Sequence, residues 1–234
     1  FMDNKVNTNR IAEKANVACV PYVLGKIDSY EDLNKKTKAK LGTDLVIQLP
    51  FGDSGHTTFF IKNEKEFNKH AEEIIAEKEV KVMKRINCRG AAIEACVTRH
   101  GTVVAPLMTE LVGFKELTPY KGGWCGNDVS HNLLDRKVVN KVQEMARQLG
   151  DRLWKEGYKG VFCFDFLLDT DTQEVYLGEI NPRISGASPM TNLITTTYGG
   201  LPLFLFHLLE FLDVDYDLSI HNTQARWKDY DNWS

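Results

Sequence analysis

A chain of 234 residues, 43% hydrophobic and 26% charged, is long enough for one large domain or two closely packed lobes, each with its own core. A formal net charge of -3 gives no basic excess for a nucleic-acid backbone. The most apolar run, 201–214, is interrupted by His207 and Glu210 and is too short to span a bilayer, so neither nucleic acid nor membrane is expected as a partner.

Phe1-Met2 is an unusual start and the run from Trp227 to Ser234 ends without a helix cap, so a piece of a longer protein is expected. No secretory signal opens the chain, and Cys19, Cys88, Cys96, Cys125 and Cys163 form no CxxC pair. Their odd number argues against a closed disulfide framework and for a reducing compartment, which predicts a cytoplasmic location. Residues 4–15 are a predicted helix with Val6, Ile11 and Ala15 apolar, followed by an extended stretch over 17–24. Ser29, with Asp32 three residues on, reads as the N-cap of a Lys-rich helix that Gly42 ends; its lysines are expected on a solvated face. Strands over 44–49 and 57–61 flank a turn-rich loop at 50–55, which makes a hairpin.

A helix over 64–78 and strands near 80–86, 91–98 and 102–107 come next. The stretch 109–131 is expected to be irregular, and loops of that length are functional or mobile. Within it, Tyr120-Lys121-Gly122-Gly123-Trp124-Cys125-Gly126-Asn127 reads equally as a substrate loop or a structural turn, and Cys125 has no placeable histidine partner to make it a nucleophile. The longest predicted helix covers 134–156, a hairpin covers 161–181, Met190 and Leu193 read as the buried face of a helix, and 200–212 is a further helix. Strands and helices mix without a regular βαβ alternation, so the fold class is α+β.

The hairpin carries the chemistry. With its polar turn centred on Thr172, Asp165 lies opposite Glu179, Cys163 opposite Asn181 and Val161 opposite Arg183. One face then holds Phe164, Phe166, Leu168, Tyr176 and Ile180; the other holds Asp165, Glu179, Asn181 and Arg183. Directly opposed side chains have Cβ atoms about 5 Å apart, where like charges repel. Two carboxylates and an amide oxygen on one face call for a cation, and oxygen-only ligands suit Mg²⁺ bridged to phosphates, or Mn²⁺ in its place. Arg183 adds a forked donor for phosphate or carboxylate. The alternative is an amphipathic hairpin with these residues in solvent.

Gly178-Glu179-Ile180-Asn181-Pro182-Arg183 resembles the E-x-N-P-R signature of the ATP-grasp superfamily, particularly its biotin carboxylase and carbamoyl-phosphate synthetase branch. Phe164-Asp165-Phe166 resembles the strand bearing that family's first metal carboxylate. Asp3-Asn4-Lys5-Val6 resembles its "DK" helix, Val46-Ile47-Gln48-Leu49-Pro50 its V-I-K-P strand, and 51–57 its glycine-rich loop. The resemblance implies two α+β lobes with mainly antiparallel sheets clasping ATP. A linker helix from an absent N-terminal domain would occupy 1–19, a small lobe 20–86, a large metal-bearing lobe 87–213 and a tail 214–234. It also implies phosphate contacts from Lys5, Gln48, Ser54, Gly55 and His56, adenine contacts from the hinge Met83-Lys84-Arg85-Ile86, and Mg²⁺ held by Asp165, Glu179 and Asn181. Arg183 would stabilise the transferred phosphoryl group. The implied activity is ATP- and Mg²⁺-dependent activation of an unidentified carboxylate as an acyl phosphate, for attack by an amine or thiol.

Three departures matter. Gln48 stands where the family has its second phosphate lysine, and an amide brings no charge. The loop Gly52-Asp53-Ser54-Gly55-His56 is poor in glycine, and Asp53 would repel phosphate; His56 reads as well as a solvent-exposed histidine as a phosphate contact. The Glu-His pair of the bicarbonate pocket is missing after Arg183, so biotin carboxylation is not expected. Gln48 also keeps open a nucleotide-binding regulatory module without turnover, and an α+β interaction domain with surface carboxylates stands as a third reading.

Overall fold

The structure is a computed structural model that describes residues 2–52, 55–119, 123–129 and 134–228, with the side chains of 198 and 199 excepted. Helix α1 (Lys5–Lys14) starts on Asn4, whose side-chain oxygen accepts from the Val6 and Asn7 N–H groups and so satisfies two of the donors a helix start leaves open. Strand β1 (Tyr22–Gly25) leads into α2 (Tyr30–Leu41), capped by Ser29 and ended by Gly42 at φ +81°. Strands β2 (Leu45–Gln48) and β3 (Thr58–Ile61) form the expected antiparallel hairpin. The helix expected over 64–78 is two, α3 (Glu64–Asn68) and α4 (Ala71–Ala76). The break falls at His70, whose backbone leaves the helical region while its ring stacks on Phe59 with centroids 4.2 Å apart.

With β4 (Val80–Lys84), these strands make a four-stranded sheet in the order β1-β4-β2-β3, antiparallel throughout. Alternation sends Leu45, Ile47, Phe59, Ile61, Val80 and Val82 to one face, where they pack with Leu33, Leu41, Phe67 and Ile74 of the helices. The other face carries two rows set by the register. Leu24, Lys81, Gln48 and Thr58 form one; Tyr22, Met83, Val46 and Phe60 form the other.

The second sheet contains β5 (Cys88–Thr98), β6 (Gly101–Val112), β7 (Trp124–Asp128), β8 (Gly160–Asp169) and β9 (Val175–Asn181) in the order β7-β6-β5-β8-β9, again antiparallel. Residues 109–112 and 124–128, expected to be irregular, are instead strand, because β6 runs on past Leu107 and β7 pairs with it as an edge. Helix α5 (Arg136–Lys155) and α1 cover one face of this sheet, where Phe162, Phe164, Phe166 and Leu168 meet Val142, Met145, Leu149 and Ile11. Helices α6 (Ser188–Gly199), α7 (Leu203–Phe211) and α8 (Ile220–Lys228) cover the other, with Phe206 and Trp227 buried against Cys96 and Val161. In α6 the side facing the sheet is Thr191, Ile194 and Thr195, whereas Leu193, expected in the core, is 63% exposed and Met190 is half-buried. Among the described residues no helix is long and apolar enough to cross a membrane.

Candidate functional site

The β8–β9 hairpin sets the site. Cys163 pairs with Asn181, Phe164 with Ile180 and Asp165 with Glu179, as a turn centred on Thr172 requires. Below Asp165 the register slips by one, with Phe166 opposite Leu177, so Gly178 is the extra residue of a bulge. A Cβ at Gly178 would sit 3.1 Å from the Asp165 carbonyl oxygen, a close approach that favours glycine there. The slip also corrects the face assignment. Val175 and Leu177 are buried in the core, and Tyr176, expected there, is half-buried and turned away. The bulge reverses the alternation between the turn and the site, keeping Glu179 beside Asp165 while Leu177 faces inward.

Around this pair the charges are dense. The Asp165 carboxylate accepts from Asn181 Nδ2 at 2.8 Å and lies 3.6 Å from the Cys163 thiol. Burial, then the Glu110 and Glu179 carboxylates, push its pKa well above the usual range for an aspartate. Lys5 is buried and reaches Glu179 Oε1 at 3.1 Å and the Gly52 carbonyl at 2.7 Å, so the N-terminus of α1 is tied both to β9 and to the loop between β2 and β3. Asn181 turns its amide oxygen toward Arg183 Nη2 at 3.1 Å, so offering that oxygen to a cation requires the amide to rotate. Arg183 itself is exposed.

Other expected contacts fall less closely together. Gln48 Nε2 donates to Thr58 Oγ1 at 3.3 Å, and its Oε1 is buried without a hydrogen-bond partner. Gly55 and His56 lie exposed in the turn between β2 and β3; Ser54 and Asp53 lie outside the described residues. At the expected hinge, Met83 is buried, Lys84 is exposed and Ile86 is half-buried. The Lys84 and Arg85 N–H groups are engaged by the carbonyls of Pro21 and Asp44, both at 3.0 Å.

Three charged groups were not singled out from sequence. Glu110 lies on β6, in the stretch read as loop, and the β5–β6 register places it beside Gly90. A side chain on Gly90 would strike the Glu110 carboxylate, so that glycine leaves the space through which Glu110 leans toward the hairpin. Burial and the Glu179 charge push Glu110 up to about 7. Lys81, on β4, is fully buried and donates to the Gly178 carbonyl at 3.0 Å; burial pushes its ammonium down to about 8. Its signal was a lysine between two core valines of a strand, which alternation sends to the opposite face. Glu94 is buried on β5, and its Oε1 accepts from Ser185 Oγ at 2.8 Å and Ser188 Oγ at 2.5 Å, which fastens the segment after Arg183 to the sheet.

Among the described residues, no three His, Cys, Asp or Glu side chains close up tightly enough to cage a metal ion alone. One or two carboxylates opposed on a strand pair is nonetheless the donor set that Mg²⁺ shares with substrate phosphates, and the crowded acids fit it. Glu110 supplies a pH test. Its folded pKa of about 7 exceeds its ordinary 4.5, so the stability it lends is full at low pH and is lost as pH rises through about 7. Glu110→Gln is therefore expected to raise apo stability by about 1–3 kcal/mol at pH 8 and to change it little near pH 4.5. Thermal melts at the two pH values check this; an equal gain at both would mean the group is not buried against Glu179.

Residues 2–187 match the family described as ATP-grasp domain. A D-alanine–D-alanine ligase of Clostridium acetobutylicum is 28% identical over 186 residues, 76% of this chain and 53% of that protein. Among solved structures, carboxyaminoimidazole ribonucleotide synthase from Aspergillus clavatus, complexed with ATP, superposes with a TM-score of 0.72 at 18% identity, covering 92% of this chain and 53% of that one. The biotin carboxylase domain of the Hydrogenobacter thermophilus 2-oxoglutarate carboxylase, in complex with MgADP and bicarbonate, gives 0.76 at 14%, covering 94% and 48%. Both likenesses show the fold, two antiparallel sheets with helices in an α+β arrangement. The chain spans about half the length of the relatives it matches.

Proposed function

The chain belongs to the ATP-grasp domain family, and on that premise we propose that it binds Mg-ATP where the small sheet meets β9 and transfers the γ-phosphoryl group to a carboxylate. The carboxylate oxygen attacks phosphorus, ADP leaves, and an amine then displaces phosphate from the acyl phosphate. The relatives' name specifies joining D-alanine to D-alanine; the class of reaction, carboxylate to amine, is what we carry over, without that substrate. The observation that carries the reading is the pair Asp165 and Glu179, directly opposed, half-buried and flanked by Lys5.

Asp165 and Glu179 would hold the cation, joined by Asn181 once its amide turns. Bound there, Mg²⁺ would neutralise charge on the phosphates. Lys5 would exchange the Gly52 carbonyl for a phosphate oxygen, and the loop bearing Ser54, Gly55 and His56 would close over the triphosphate. Of the hinge 83–86, the Lys84 and Arg85 N–H groups are committed, so an adenine edge would meet Ile86 and the carbonyls. Arg183, free of the core, would reach the transferred phosphoryl group. The small lobe would be 20–86 and the large lobe 87–213, with 1–19 and 214–234 as flanking segments.

Calorimetry is expected to give ATP binding at least about tenfold tighter with Mg²⁺ than in EDTA. Equal affinity in both would sink the metal assignment. Gln48 favours a second reading, nucleotide binding without turnover. ADP release on adding carboxylates and amines distinguishes the two, and silence across a broad panel supports the second.

A further inference from the structure

On the face of the small sheet away from its helices, one row reads Leu24, Lys81, Gln48, Thr58. Position 48 is where the resemblance implies a phosphate-binding lysine, and it holds an uncharged amide whose buried Oε1 has no partner. The lysine stands one strand over. Lys81 is directly opposite Gln48 on β4, is fully buried, and among the described residues makes one hydrogen bond, to the Gly178 carbonyl. An ammonium carries three donors, so two are uncommitted. Among the described residues no carboxylate lies within ion-pair distance of it. A lysine almost never stays buried unless it is paired, since stripping its water is costly.

We propose that Lys81 supplies, from the neighbouring strand, the phosphate-binding cation that position 48 lacks, and that it acts together with Lys5. The proposal rests on the reading that this cleft takes ATP. Directly opposed residues of an antiparallel pair have Cβ atoms about 5 Å apart, well within the reach of a lysine stem, so a charge moved one strand sideways can serve the same ligand oxygens. The large-sheet side agrees. Lys81 touches the backbone at Gly178, next to Glu179, and Lys5 holds Glu179 itself, so the two ammonium groups flank the carboxylate assigned to the metal. Lys81 and Gln48 stand directly opposed on the same face of the sheet, and a triphosphate with its cation has both acceptors for the lysine's uncommitted donors and positive charge for the orphaned Gln48 oxygen. A structural pin for the β9 bulge would account for the Gly178 contact, yet not for the unused donors or the orphaned oxygen.

Four proteins test it by calorimetry with Mg-ATP: wild type, Lys81→Gln, Gln48→Lys, and the double variant that exchanges the two residues. Loss of Lys81 is expected to weaken binding about 10- to 100-fold, the size of one charge-assisted hydrogen bond. The exchange variant is expected to recover to within about threefold of wild type, because the charge returns to the same space. A structural pin makes the opposite forecast, since a lysine at 48 cannot restore a bond made from 81. Wild-type affinity in folded Lys81→Gln, or no recovery in the folded exchange variant, overturns the role of Lys81 while leaving the ATP reading in place. Absence of ATP binding by the wild type overturns both. Should Lys81→Gln fail to fold, Gln48→Lys/Lys81→Met decides, with near-wild-type affinity supporting the proposal and a folded non-binder ending it.

Discussion

Glu179→Gln is expected to lower Mg²⁺-dependent ADP release by at least about 100-fold and to leave the ligand-free protein as stable as wild type or more so. The reasons lie in the charge balance. Three carboxylates, Glu110, Asp165 and Glu179, crowd one face, and the Glu179 charge helps to raise the pKa of both others. Neutralising it removes two repulsions. The attractions lost are the contact with Lys5 at 3.1 Å, where Lys5 keeps its bond to the Gly52 carbonyl, and the longer-range attraction to the Lys81 ammonium. The lost ion pair is partly buried, with 6% of the Lys5 and 26% of the Glu179 side chain exposed, so its loss offsets part of the relief and the net change in the ligand-free protein is expected to be small. A cation ligand behaves differently, because its charge matters most when the cation is present. Melts with and without Mg-ATP separate the two roles: the variant should lose the Mg²⁺-dependent shift and keep the apo melting temperature. A sharp fall in apo melting temperature would make Glu179 a structural residue and remove the carboxylate pair as the basis for metal binding.

The hairpin was legible because its two signals agreed. Alternation placed Asp165 and Glu179 on one face, and the polar turn at 169–173 set the register that opposes them. The bulge was not legible. Gly178 is one glycine in a strand, and a register that holds on the site side and slips on the turn side looks the same in sequence as one that holds throughout, so Tyr176 and Leu177 were exchanged. Glu110 was lost for a different reason: β7 is a short edge strand rich in glycine and polar residues, so nothing local announced that β6 continued to meet it. Lys81 shows a third limit. Its strand was recognised, but its importance comes from standing opposite Gln48, and β2 and β4 pair across the intervening residues 49–79, with β3, α3 and α4 between them. Local patterns give faces; which strand lies beside which is decided by the whole sheet. The Ser29 cap was the reverse case: it acts within three residues of itself, and Ser29 and Gly42 bound α2 where the sequence placed them.

Phe164→Ala is expected to cost about 3–5 kcal/mol of unfolding free energy, the largest stability loss predicted for the chain. Phe164 is fully buried between Phe162 and Phe166, with ring centroids 4.1 and 6.2 Å away, on the face of β8 opposite Asp165. Its neighbours across the sheet, Ile93 and Ile180, are held in paired strands and cannot collapse into the space, so the cavity term adds to the transfer term. Urea unfolding should show a lower midpoint with little change in slope. The same variant keeps every charged group of the site, so saturating Mg-ATP should restore stability by roughly 2.7 kcal/mol at a hundred times its dissociation constant. That pattern is the mirror image of Glu179→Gln, which should keep stability and lose the Mg²⁺-dependent rescue. A loss below about 1 kcal/mol would mean that the phenylalanine ladder does not hold β8 in place. Normal loss without rescue would mean that Asp165 depends on the packing beneath it, and that the core sets the site's geometry as well as its stability.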